Sequence, residues 1–458
     1  MYNITRRELS MKIRELIEAT VGNEKLNNIS PDIDLDLDVN ISTDTRTIKQ
    51  GDFYLPLKGA SFDGEKFIDQ AIEKGAVGAF CTQNCSANTF LIKVPDTLTA
   101  YLQLANYRRK KLNPIVVAIT GSSGKTTTKE LVASVMSEKY KTFKTPLNHN
   151  NEIGFCQTIF EAPDDTEVLV LEMGMRGLGE IELLSKYSEP DITIISNVGT
   201  AHIGRLGSRE NIAKAKCEIV SHQSVNKDIN VFIAHNDELI KKTVNYNGEK
   251  IYYSISDVNI LEKSAHYSKF EYQGNTYELN VGGNYNIENA LSAINAGEKL
   301  GLTTKQIQDG LKKYKPIEKR WEAVGVNING HTINVINDSY NANPESMRAF
   351  VDTIFELYKD YSLILGDMGE LGEDEVKYHS ELGEYINSKK NLNPQTKVIS
   401  IGTLSKNITD SIKNCETKHF ETIEDAIPYL KSSITPPTTL FLKASRSMKF
   451  EKIIELLK

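Results

Sequence analysis

At 458 residues and a formal net charge of −7, the chain is too long for one hydrophobic core and long enough for two to four domains of ordinary size. Acidic and basic residues are interspersed, which argues against the clustered positive field on which nucleic-acid affinity rests. The five cysteines, at positions 81, 85, 156, 217 and 415, are odd in number and scattered, a pattern unlike a disulfide framework.

The opening stretch, MYNITRRELSMKIRELIEA, reads as a polar amphipathic helix rather than a signal peptide. No apolar run approaches the roughly 20 residues that span a bilayer, so a cytoplasmic protein is expected. Up to about residue 110, short apolar runs alternate with turns. Strands at about 53–57 and 77–81 flank a helical stretch, and TFLIKV follows as another strand, predicting a small α/β domain. Thr45 and Arg46, Lys58 and Gly59, and Asp63 and Gly64 fall at strand ends, where polar groups can converge on a ligand. Taken singly, each is more often a turn residue or a solvated charge.

KLNP, residues 111–114, reads as a linker. After it, PIVVAITGSSGKTTTKELVASVM predicts a strand, a turn and a helix: Ile115 to Ile119 are apolar and β-branched-rich, and Leu131, Val132, Val135 and Met136 return with helical spacing. The turn, Gly121, Ser122, Ser123, Gly124, Lys125, Thr126 and Thr127, has what a polyphosphate needs. Two glycines let backbone N–H groups point inward, the helix N-terminus adds its dipole, Lys125 a charge and Thr126 a hydroxyl for Mg²⁺. The glycine that usually stands six residues before the lysine is replaced by Ile119, giving the shorter form T-G-x-x-G-K-T-T. Binding of a nucleoside triphosphate is expected.

Beyond the first helix, Asn148, His149, Asn150 and Asn151 precede an apolar helix start. EVLVLEMG places Glu172 at a strand's end, and DITIISNVGTAHIG places His202 just beyond another. Parallel sheets bind ligands at the carboxyl ends of their strands, so these groups and the phosphate loop are expected along one edge. Separately, Glu172 could be a helix N-terminal charge and His202 a satisfied loop histidine. Lys214 and Lys216 read as surface charges on a helix. Asn286 and Asn289, three apart at a helix start, can cap it or read an adenine edge. Arg320, at a domain seam, can reach a terminal phosphate or form an ordinary ion pair.

From about 319, strands and helices alternate again: a strand ends at Asp338 before Asn341, Asn343 and Pro344, and SLILGDM, VISIG and TTLFLKASRSM give three more. A small doubly wound domain is predicted. GELGEDE reads as a solvated acidic loop.

Taken together, TGSSGKTTTKE, NHNNEIGF, LEMGMRGLGEI, SNVGTAHIGRLGS, NYNIENALSA, NDSYNANPESM, LGDMGELGE and KASRSMKFEKI resemble the Mur ligases. Within that family they are most similar to the members that join D-alanyl-D-alanine to UDP-N-acetylmuramoyl-tripeptide in peptidoglycan synthesis. The likeness runs in order along nearly the whole chain and includes DTR, GDFYLPLKG and FDG near its start. It implies an α/β chain of three domains: residues 1–112 for the uridine nucleotide sugar, 113–318 a P-loop ATPase on a mainly parallel sheet, and 319–458 a Rossmann-like ligase domain. Lys125 and Thr126 then become phosphate and Mg²⁺ contacts, Glu172 and His202 ligands of a second Mg²⁺, and Lys216 the family lysine that is often carbamylated. Asn286 and Asn289 match adenine-side residues, Arg320 a γ-phosphate contact and Asp338 a ribose contact. Thr45, Arg46, Lys58 and Asp63 fall on the nucleotide-sugar side. Asn148, Asn150 and Asn151 are expected at the substrate, and Tyr340, Asn341, Asn343, Lys443, Ser445 and Arg446 at the acceptor. Ala444 stands where KGSR is common in the family, and the stretch TPLNHNN varies from it at Leu147 and His149. Both bear on fine specificity.

The resemblance implies ATP and Mg²⁺, small-molecule substrates and a monomer without nucleic-acid or membrane partners. Two rivals differ in kind. Another ligase of the family, adding the third peptide residue or glutamate to folate, is disfavoured by NDSYNANPES, where the former usually reads more like DYAHTP, and by the uridine-type first domain. A nucleotide-binding scaffold without catalysis is disfavoured by Lys125, Glu172, His202 and Lys216 occurring together.

Overall fold

The computed structural model describes residues 10–23, 25, 33–59, 62–83, 89–146, 149–223, 228–316, 319–389, 393 and 395–458. The chain forms two compact units, one of residues 1–117, 140–173 and 183–190, the other of residues 118–139, 174–182 and 191–458.

In the first unit, strands Ile41–Ser42, Phe53–Tyr54, Gly78–Cys81 and Phe90–Lys93 lie parallel in that order. The second of them is shorter than its apolar run predicts. Leu55 N–H still reaches Ser42 C=O at 2.9 Å, but Pro56 follows, and proline has no N–H for a ladder. Phe53, Tyr54 and Phe80 are fully buried and fill the interior of this small sheet. The amphipathic stretch at the chain start appears as helix Ile13–Thr20; residues 1–9 lie outside the described residues.

Helix Thr97–Leu112 begins where the Asp96 carboxylate accepts the Thr99 N–H (2.7 Å) and stops at Asn113, which turns left-handed ahead of Pro114. Arg108 and Arg109 on it are buried: Arg108 pairs with Asp164 at 2.6 Å and Arg109 donates to the Glu189 carbonyl at 2.8 Å. Strands Thr142–Lys144 and Val168–Glu172 are parallel neighbours.

Strand Ile115–Thr120 carries the chain from the first unit into the second, with Val116 to Ile119 excluded from solvent. A strand buried on both faces needs this continuous apolar run. Helix Lys125–Met136 follows and packs on helices Asn284–Lys299 and Thr304–Lys313. Gly310 makes the second contact possible, because a Cβ there would lie 2.5 Å from the Val135 Cα. Strands Ile192–Ile195, Val231–His235 and Glu249–Tyr253 are parallel neighbours.

The last third of the chain builds a six-stranded sheet in the order Glu322–Ile328, His331–Asn337, Thr439–Lys443, Tyr361–Gly366, Lys397–Ile401, Glu416–Phe420. The first pair is a hairpin and the other neighbours are parallel, as the alternation of strands and helices predicts. Ile364, Ile399, Leu440 and Leu442 sit at its centre with Phe450 and Ile453 packed on them. Asp338, Asp367 and Ala444 therefore leave the carboxyl ends of adjacent strands, the edge where a parallel sheet takes its ligand.

Candidate active site

The phosphate loop is held open by its own geometry. Gly121 has φ +154° and a Cβ there would lie 1.9 Å from Ser196 Oγ. Gly124 caps the helix at φ +78°, where a Cβ would lie 2.5 Å from Asn289 Oδ1. Both positions require glycine, one for space and one for backbone handedness as well. The segment after strand Ile192–Ile195 braces the loop. Asn197 Oδ1 accepts the Ser123 N–H (2.9 Å) while its Nδ2 donates to the Ser123 carbonyl (3.1 Å), and Gly199 N–H donates to Ser122 Oγ (2.9 Å). Lys125 folds back to donate to the Gly121 carbonyl at 2.8 Å. Thr127 is bonded by the Tyr314 hydroxyl, whose pKa burial raises to about 12.

The last third of the chain meets this loop at several points. Arg320 donates to the Thr126 hydroxyl at 2.9 Å. Asn343 caps helix Pro344–Leu357 by accepting the Ser346 N–H (2.9 Å), and its amide donates to Ser123 Oγ (3.0 Å). Glu345 accepts both the N–H and the hydroxyl of Thr200, each at 2.9 Å. Glu370 approaches His202 Nδ1 to 2.5 Å, its carbonyl accepts the Gly204 N–H at 3.1 Å, and the imidazole holds its carboxyl below the usual range. The acidic turn GELGEDE is thus no mere solvated loop.

Lys216 also departs from its surface reading. Only 1% of it is exposed, whereas Lys214 on the same helix Arg209–Cys217 faces solvent. Burial, helped by the nearby positive charge of Lys125, pushes its amine well below the ordinary lysine range. Asn286 donates to the Gly282 carbonyl (2.7 Å), closing the first turn of its helix, and Asn289 accepts from Thr128 Oγ1 (3.2 Å). In this structure the two asparagines shape the helix start and back the Gly124 turn.

The Asp338 carboxylate is doubly engaged, accepting Lys443 Nζ at 2.5 Å and the Trp321 N–H at 3.2 Å. Lys443 also donates to the Asn341 carbonyl (3.2 Å). Ser445 Oγ accepts the Gly369 N–H (2.7 Å), tying the end of one strand to the loop after its neighbour. Arg446 pairs with Glu451 at 3.0 Å. Tyr340 lays its ring 4.1 Å from the Arg320 guanidinium.

In the first unit the expected nucleotide-sugar residues gather at the carboxyl ends of its parallel strands. Arg46 pairs with Asp44 (2.6 Å) and lowers its carboxyl to about 2. Thr45 donates to Gln70 (3.2 Å), Lys58 to Thr82 Oγ1 (3.0 Å), and Asp63 accepts the Glu65 N–H (3.1 Å). Glu172 is buried, its N–H on Thr145 Oγ1 and Oε1 accepting from Asn150 (3.0 Å each). Asn151 caps helix Glu152–Glu161 through the Gly154 N–H. Asn148 lies outside the described residues, as does Cys85.

Among the described residues, no group of three His, Cys, Asp or Glu side chains could hold a metal ion by itself. The donors present nevertheless suit magnesium delivered with a nucleotide, since that ion is held by one or two carboxylates, substrate phosphates and water. The Glu370 carboxylate lies against His202 Nδ1, which would leave Nε2 as the atom to meet such an ion.

Sequence reading missed Ser196, Asn197, Glu345, Glu370 and Trp321. The signal for the first three was position: SNVGT follows a strand end, and Glu345 follows the helix-starting Asn-Pro.

Known proteins are similar to this chain along nearly all of its length. Models described as Mur ligase family catalytic domain, Mur ligase middle domain and Mur ligase glutamate ligase domain match residues 39–109, 119–297 and 319–446. The UDP-N-acetylmuramoyl-tripeptide--D-alanyl-D-alanine ligase of Bacillus subtilis is 34% identical over 97% of this chain and 96% of its own. The Escherichia coli protein of the same name is 30% identical over 91% and 93%. A crystal structure of MurF from Acinetobacter baumannii superposes with a TM-score of 0.85 at 28% identity over 98% of both chains. MurF ligase from Thermotoga maritima in complex with ADP gives 0.80 at 26% identity, over 91% of this chain and 96% of that one.

Proposed function

The chain belongs to the Mur ligase family, and we propose that it joins D-alanyl-D-alanine to UDP-N-acetylmuramoyl-tripeptide at the expense of ATP, releasing ADP and phosphate. A carboxylate is a poor electrophile, so the tripeptide's terminal carboxylate first takes the γ-phosphoryl group as an acyl phosphate. The dipeptide amine then attacks that carbon, and phosphate leaves. The three-domain division at 112 and 318 is part of this reading, and so is a cytoplasmic monomer.

The observation that carries the proposal is the Arg320 to Thr126 hydrogen bond of 2.9 Å, which brings a fixed positive charge onto a loop built for phosphates. Lys125 and Arg320 offset the charge of the phosphoryl oxygens, and the N-terminus of helix Lys125–Met136 adds its dipole. Magnesium would neutralise the same oxygens when bound, with Thr126, His202 and Lys216 as its proposed ligands. For Lys216 this requires a carbamate. A buried lysine whose amine is kept neutral is the form that adds CO₂, gaining a carboxylate and releasing a proton. Asn343 and Glu345 keep the loop and the Thr200 segment aligned with the acceptor side.

The deciding experiment mixes the enzyme with ATP, Mg²⁺ and the two substrates singly and together, and follows phosphate and product mass. Phosphate release and a UDP-linked pentapeptide should appear only with both substrates; binding of ATP without such turnover would favour a scaffold.

A further inference from the structure

Arg320 is displayed on an arch of strained backbone. The residues on both sides, Lys319 (φ 62°) and Trp321 (φ 56°), are left-handed without being glycine, a conformation kept only where surroundings impose it. Those surroundings are visible. Lys319 N–H donates to Glu322 Oε2 (3.0 Å) and its Nζ to Glu451 (3.1 Å). Trp321 donates its N–H to Asp338 (3.2 Å) and its indole N–H to the Ala265 carbonyl (3.1 Å), with its ring buried against Tyr285, Phe350 and Phe441. The arch fixes where the arginine starts. It does not fix where a side chain with four rotatable bonds ends.

Tyr340 supplies that second constraint. Its N–H donates to the Lys319 carbonyl (3.1 Å), tying it to the residue before the arginine, and its ring faces the guanidinium at 4.1 Å while the other end of that guanidinium donates to Thr126. A cation over an aromatic face is attracted by the ring quadrupole, and the stacked plane limits guanidinium rotation. We infer that Tyr340 is a positioning residue for Arg320, holding its guanidinium at the mouth of the phosphate loop, rather than a contact for the incoming amine. The inference rests on the proposed ligase reaction only for its kinetic arm.

The test compares Tyr340→Phe, Tyr340→Leu, Arg320→Ala and the Leu/Ala double variant in the full chain. Two quantities are read: the relative affinity for the β,γ-imido analogue of ATP over ADP by calorimetry, and kcat with the KM for D-alanyl-D-alanine. Tyr340→Phe keeps the face and should stay within about twofold of the parent. Tyr340→Leu keeps apolar bulk but loses the face, and should lose about tenfold in kcat and part of the triphosphate preference, with the dipeptide KM unchanged. In the Arg320→Ala background the leucine should cost nothing further. A raised dipeptide KM with kcat and nucleotide preference intact, or losses that multiply in the double variant, would overturn it. A parent that bound nucleotides but made no peptide would overturn the ligase reading, and the calorimetric arm would still decide Tyr340.

Discussion

Thr200 presents both its N–H and its hydroxyl to the two carboxylate oxygens of Glu345, and the bare Cα of Gly199 leaves the room for that approach: a Cβ there would fall 2.6 Å from Glu345 Cδ. Glu345→Ala removes two charge-assisted bonds, and a loss of about 2 kcal/mol, roughly 30-fold in turnover, is expected with the fold retained. Glu345→Gln keeps one good acceptor and should lie between. Steady-state rates beside circular dichroism decide; parent-like turnover in the alanine variant would remove the contact from the working enzyme.

Lys125→Ala deletes the loop's point charge while leaving Gly121 and Gly124 in place. Turnover should fall by about a thousandfold, while the thermal midpoint stays near that of the parent. Near-normal activity would refute the phosphate-loop assignment.

Lys216 sits 1% exposed, its amine depressed by burial first and by Lys125 second. Enzyme prepared free of CO₂ should be slow, recover with bicarbonate and gain the mass of one CO₂ under non-acidic mass spectrometry. Lys216→Arg should be insensitive to bicarbonate, because a guanidinium does not lose its proton. Full activity of CO₂-depleted enzyme would exclude the carbamate.

His379 is fully buried, its Nε2 accepting the Met368 N–H (2.9 Å) and its Nδ1 set against the Glu375 carbonyl (2.6 Å). That pattern needs a neutral ring, and burial lowers its pKa despite the opposing charges of Asp367 and Glu375. Its folded value lies below the unfolded one of about 6.5, so its stabilisation is complete above that pH and is lost as pH falls from there through the folded value. His235 has the opposite sign: its hydrogen bond to Glu288 raises its pKa, giving stabilisation complete below about 6.5 and lost as pH rises through the folded value. Urea melts from pH 5 to 8 should show His379→Gln flattening the acid limb and His235→Gln the neutral one. Unchanged slopes in both would mean that neither ring carries the dependence.

The strand, loop and helix around Lys125 were legible because the apolar period changes there from continuous to helical and two glycines mark the turn. The parallel order of five strands in the sheet of the last third of the chain followed from alternating strands and helices. Lys216 was not legible: Lys214 and Lys216 occupy the same helix with the same chemistry, and only distant chain decides that one faces water and the other is sealed in. Glu370 was read as part of a solvated turn because its partner His202 stands far away in sequence. Tyr340 and Arg320 each looked like ligand contacts. Their contact with one another depends on left-handed backbone at Lys319 and Trp321, which no propensity announces.

Gly204 and Gly372 meet backbone to backbone: a Cβ on the first would strike Gly372 N at 2.4 Å, and one on the second would lie 2.7 Å from the Gly204 Cα. Each lies two residues from a member of the His202–Glu370 pair, so one added methyl group would work as a wedge between imidazole and carboxylate. Alanine at either position would therefore disturb the pair while leaving both of its side chains chemically intact.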